Sequence, residues 1–277
     1  MNQILCSTGA LIGRPNGRDY RLLRQLYQQL DCDGFEFLFY DTWYSEAEQL
    51  TAFLRELKLN IPVMHCEKKL AEHIAAGGQE ETEEAFRLFE INCRTANEIG
   101  AEKMVLHLWN GLISDTHFEN NLKAYPGLCE TAAKHGITLL VENVICLQDP
   151  MSHWAELYRH YPDIRFVFDT KMADFHRQME LLYDPEWEWL WRENHIVHYH
   201  INDYSGEYMD WNNLKVLMLN KGHIDFDRFF SFVRQTGYTG DYTFEGTGFT
   251  REGRVLIDDL NEQFASARNY LYGEHQA

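Results

Sequence analysis

Side chains that ligate cations or carry protons fall at or near the ends of short apolar runs: Glu36, His65, Glu67, His107, Glu142, Asp169, His200 and Glu245. Carboxylates and imidazoles hold divalent ions, and they also act as general acids and bases near neutral pH. Glu142, Asp169, His200 and Glu245 close the fifth, sixth, seventh and eighth of these runs. If the runs are neighbouring strands, three carboxylates and an imidazole converge, and the carboxylates repel one another unless a cation sits among them. Three oxygen donors and one nitrogen suit one divalent ion, with Mn, Mg or Co ahead of Zn. Glu67 and Asp203 are either groups that orient ligand rings or ordinary surface acids.

The elements that must position these residues are eight β-rich runs: QILCS near Gln3, GFEFLFYD from Gly34, IPVMHCE from Ile61, KMVLHLW from Lys103, ITLLVENV from Ile137, IRFVFDT from Ile164, HIVHYHIND from His195 and DYTFEG from Asp241. Between them lie stretches of helical periodicity. In one, Phe86, Phe89, Cys93, Ala96 and Ile99 recur at steps of three and four, with Gly100 as a stop. Alternation sustained eight times predicts parallel strands closed into a single (β/α)8 TIM barrel, with a doubly wound open sheet as the alternative. Barrel enzymes build their sites at the C-terminal ends of the strands, where these polar residues fall. The longest irregular stretches, Leu108 to Thr116 and Asn202 to Gly222, follow strands directly and are lid candidates. No linker divides the chain, so 1–277 is read as one domain.

Forty-three acidic residues against twenty-five basic give a net charge of −18, a field that disfavours nucleic acid and anionic membrane as partners. No run is long and apolar enough to span a bilayer, and MNQILCSTGALIG lacks the basic and apolar regions of a secretory signal. The six cysteines form no C-x-x-C pair and read as reduced, mostly buried thiols. The cytoplasm is the expected location. The expected partner is a small molecule, with a homo-oligomer left open.

VMHCE (Val63 to Glu67), VLHLWNG (Val105 to Gly111), LLVENV (Leu139 to Val144), FVFDT (Phe166 to Thr170), HYHIND (His198 to Asp203), GHIDF (Gly222 to Phe226) and YTFEG (Tyr242 to Gly246) follow in order. This series resembles the sugar phosphate isomerase/epimerase group of the xylose isomerase-like barrel superfamily, which includes endonuclease IV. The resemblance implies a metal held by Glu142, Asp169, His200 and Glu245. Relatives read D-T-G-H at the sixth strand, whereas this chain reads Asp169, Thr170, Lys171, Met172. The absent histidine disfavours a trinuclear DNA-repair site. Lys171 is then either a cationic substrate contact or a salt-bridge partner of a nearby acid.

Metal-assisted proton transfer beside a carbonyl, giving isomerisation or epimerisation, is the leading expectation, with Glu142 and Glu245 as the acid-base pair. His65, His107, Trp109 and Lys171 are the expected substrate contacts. Phe39, Tyr40 and Trp43 also lie where sugar faces could stack. Gly246 and Gly248 before Thr250 and Arg251 are a weak phosphate signal. The rivals are an inosose dehydratase-like lyase, an endonuclease IV-like hydrolase, and a sugar-binding barrel without turnover.

Overall fold

The computed structural model describes residues 2–111 and 115–273. Eight parallel strands close a barrel in sequence order: β1 (Ile4–Ser7), β2 (Gly34–Leu38), β3 (Val63–His65), β4 (Lys103–Leu106), β5 (Thr138–Glu142), β6 (Arg165–Asp169), β7 (Ile196–Ile201) and β8 (Tyr242–Phe244). Helices follow the strands, as the alternation predicts for a (β/α)8 barrel. The strands are buried along almost their whole length, which explains why they read as continuous apolar runs rather than as alternating ones. Contacts divide the chain into two compact units, residues 36–167 and residues 1–35 with 168–277.

In the unit 36–167, β3 pairs with β4 (His65 beside Val105) and β5 with β6 (Glu142 beside Val167). Its main helices are α1 (Ala47–Leu57), α2 (Leu70–Ala76), α3 (Gln79–Ile99), α4 (Phe118–Lys134) and α5 (Pro150–His160). Helix α3 is the predicted amphipathic segment. It buries Ala85, Phe89, Asn92, Cys93 and Ala96, leaves Phe86 and Ile99 at the edges of that stripe, and ends at Gly100 with φ 87°. Pro126 lies inside α4, where it cannot donate to the Leu122 carbonyl. The Tyr161 hydroxyl donates to that carbonyl instead, at 2.8 Å, so the proline leaves no buried acceptor unpaired.

In the unit of residues 1–35 and 168–277, β7 pairs with β8 (His200 beside Thr243) and β8 with β1. Helix α6 (Thr170–Phe175) starts at once after β6, because the Asp169 side chain caps it by accepting from the Met172 N–H at 2.7 Å. Helix α7 (Phe226–Gln235) turns Phe226, Phe229, Phe230 and Val233 inward at steps of three and four, and α8 (Ile257–Tyr272) follows β8. Among the described residues no helix is long and apolar enough to cross a membrane.

Candidate functional site

Two clusters of ionisable side chains form at strand ends, one in each unit. In the unit 36–167, Glu142 at the end of β5 lies between two imidazoles. His107 Nε2 is 2.7 Å and His65 Nε2 3.4 Å from the same oxygen, Oε2. All three side chains are buried. Burial pushes the His107 pKa down to about 4 against the pull of the Glu142 charge, so the ring is neutral at neutral pH. His65 Nδ1 lies 2.7 Å from the Cys66 carbonyl, which can only accept, so Nδ1 carries a proton. In the neutral ring that leaves Nε2 as the lone-pair nitrogen facing Glu142, the tautomer a metal-binding histidine adopts. These three residues are thus themselves a group able to hold an ion.

In the other unit, Asp169 ends β6, His200 lies on β7 and Glu245 follows β8. His200 Nδ1 is 3.7 Å from Glu245 Oε2 and 4.0 Å from Asp169 Oδ2. These separations are long for hydrogen bonds, but they suit ligands placed around one ion at about 2.0–2.2 Å from each. Asp169 and His200 are fully buried, and Glu245 is 12% exposed. Asn202 was not foreseen in the sequence. Its Nδ2 donates to Asp169 Oδ2 at 2.6 Å and to Glu245 Oε2 at 2.9 Å. An oxygen, oxygen, nitrogen donor set in which both carboxylates face one imidazole fits a divalent cation by its chemistry.

Other expected site residues take different places. Trp109 is enclosed: its indole N–H donates to the Val144 carbonyl at 2.6 Å, and its ring packs on Phe118 and His153. It fills core and offers no open face for a sugar to stack on, which corrects its reading as a substrate contact. Trp43 likewise stacks on Phe37 and meets Phe39 and Tyr40 edge-on. Lys171 is 4% exposed, buried in the first turn of α6. Glu67 accepts from the Lys69 N–H rather than from a histidine ring, and burial raises its pKa.

Asp203 is a fastener for the loop after β7 rather than a partner of a ligand ring. Its carboxylate accepts from the N–H groups of Tyr204 (2.8 Å), Gly222 (2.7 Å) and Ile224 (3.1 Å). A side chain at position 222 would collide with the Tyr204 carbonyl, so glycine is required there. The lid candidate from Asn202 to Gly222 is folded against α6: Met209 N–H donates to the Phe175 carbonyl, and Trp211 packs edge-on against Phe175. Gly246 is explained by close approach to the Met218 backbone, so it needs no phosphate to account for it.

Of the second lid candidate, Leu108 to Thr116, residues 112–114 lie outside the described residues. Its end is anchored by Asp115, which lies 2.5 Å from His153 Nε2 and accepts from the Leu147 and Gln148 N–H groups at 2.8 and 3.0 Å. Asp115, Cys146 and His153 also gather as donors to a cation. The Asp115 carboxylate is already filled by these hydrogen bonds, and burial raises the Cys146 pKa well above the usual thiol range, so the trio works as a brace between the loops after β4 and β5.

A family model described as xylose isomerase-like TIM barrel matches residues 25–270, and the chain belongs to that family. No curated protein matches it in sequence. Among solved structures it is similar to the IOLI protein with a bound zinc atom (12% identity, TM-score 0.70, 99% of this chain and 100% of that one). It is also similar to a 3-keto-D-glucoside 4-epimerase from E. coli (15%, 0.67, 97% and 100%) and to a D-allulose 3-epimerase from Methylomonas sp. in complex with D-allulose (15%, 0.64, 99% and 92%). At these identities the likeness is one of fold.

Proposed function

We propose that this chain is a divalent-metal-dependent sugar or sugar phosphate isomerase/epimerase that transfers a proton at the carbon beside a carbonyl. The observation that carries the reading is the cluster of Asp169, His200 and Glu245 at three successive strand ends, in a family whose solved neighbours include sugar epimerases. Glu142 is the proposed fourth ligand. It is supported by its chemistry, a buried carboxylate at the end of β5. Mn, Mg or Co suits the oxygen-rich set, and the zinc in the IOLI structure makes Zn a further choice.

The cation, when bound, supplies the charge that polarises a carbonyl and stabilises an enediolate. Glu245 would take or return the carbon-bound proton, with Glu142 serving the opposite face. His65 and His107, with at least His107 neutral, would donate to or accept from a substrate oxygen without adding charge. Lys171 would contribute a buried ammonium to a substrate oxygen. We also propose that 1–277 acts as one domain, since β2 and β6 each run through a unit boundary. We further propose a reducing, cytoplasmic setting, in which the six cysteines stay thiols.

The test is elemental analysis of the purified protein joined to a ketose and aldose screen in deuterated water. The expected result is about one equivalent of metal and label at the carbon beside the carbonyl. Phosphodiester cleavage or sugar binding without metal-dependent exchange would replace the reading with one of its rivals.

A further inference from the structure

We infer that Asn202 is a positioning residue, an amide that aligns Asp169 and Glu245 before a cation arrives; the inference rests on the metal reading above. Asn202 is 1% exposed and follows β7 directly. Its backbone is clasped from both sides by one hydroxyl: the Asn202 N–H donates to Thr170 Oγ1 at 3.0 Å, and that hydroxyl donates to the Asn202 carbonyl at 2.6 Å. The side chain is therefore held at its root. Its Nδ2 reaches Asp169 Oδ2 and Glu245 Oε2, the same two oxygens that face His200 Nδ1.

Charge fixes which way the amide points. A flipped Asn202 would set Oδ1 against two carboxylate oxygens, so the NH2 edge must face them. Among the described residues no donor reaches Oδ1, although the atom is buried. A buried acceptor left without a donor is disfavoured in its own right. The amide keeps this orientation because of what its two N–H groups do. Asp169 Oδ1 is engaged with the Met172 N–H, which leaves Oδ2 as the oxygen for a ligand. Asn202 holds that oxygen. A neutral donor shared by two anions reduces their repulsion and keeps both aimed at His200 without adding a ligand or a charge.

The test uses the metal-free full chain as parent, Asn202→Ala and Asn202→Asp, with Mn2+ alone as the probe. Thermal unfolding is followed with and without the ion, and Mn2+ affinity is read from the electron spin resonance signal of the free ion. Asn202→Asp keeps the shape but replaces the donors with a third carboxylate. Without metal it should melt below Asn202→Ala, and Mn2+ should raise its Tm by more than it raises the parent's. Asn202→Ala should bind Mn2+ about ten- to a hundredfold more weakly than the parent.

Metal-free Asn202→Asp as stable as the parent, or Asn202→Ala binding Mn2+ as tightly as the parent, would reduce Asn202 to packing. If Asn202→Asp does not fold, the Asn202→Ala affinity decides alone. A parent that binds no divalent ion overturns the metal reading instead, and the order of the two variants' metal-free melting points still decides the amide's role.

Discussion

The two clusters use the same residue types in opposite ways. In the unit 36–167 one carboxylate oxygen is met by two imidazoles, the nearer at hydrogen-bonding distance. In the other unit two carboxylates share one amide, and the imidazole stands 3.7 and 4.0 Å off. The first arrangement has one anion and two rings, one of them neutral and the other with its Nδ1 proton turned to the Cys66 carbonyl. The second has two anions and only a neutral donor between them. Excess negative charge, rather than the number of possible ligands, marks the second cluster as the seat for a cation.

The largest effect that could sharpen this contrast lies at Glu245. Glu245→Gln should slow solvent deuterium incorporation into the substrate about a hundred- to ten-thousandfold, measured by proton NMR, because it removes a positioned acid-base group. Ligand substitutions come next. Asp169→Asn and His200→Ala should weaken Mn2+ by more than the ten- to hundredfold typical of groups one step removed from a metal, whereas His65→Ala and His107→Ala should stay within that range. Calorimetric titration would show it, and equal losses in both sets would overturn the assignment of the cation to the second cluster.

Asp203→Ala should destabilise the fold by about 3 kcal/mol in urea unfolding, since three backbone N–H groups lose a charged acceptor. Metal affinity should change less than in Asp169→Asn. The smallest effect is expected at Trp109→Phe, about 1 kcal/mol from the lost hydrogen bond to Val144, with KM unchanged. A large rise in KM would restore Trp109 as a substrate contact.

The barrel was legible because parallel strands buried on both faces must be apolar throughout, so each appears as a compact run followed by a helical period. The ionisable residues were legible for the same reason, as polar exceptions at the ends of such runs. What escaped the sequence were relations between distant positions. Asn202 carries no charge and sits inside HYHIND, so nothing in its type marks it as the residue joining Asp169 to Glu245. The brace of Asp115 and His153 spans 38 residues and has no spacing to betray it. Trp109 was misjudged because an aromatic beside a strand end can point to the pocket or to the packed layer, and one-dimensional pattern does not distinguish them.

Fastening the loop after β7 at its base separates its length from the stability of the barrel. With Tyr204, Gly222 and Ile224 tied to Asp203, residues 205–221 form a tethered excursion whose ends are already joined. Lengthening such an excursion costs little, only about 0.6 kcal/mol of closure entropy for each doubling. The segment is therefore where this scaffold can diversify by insertion.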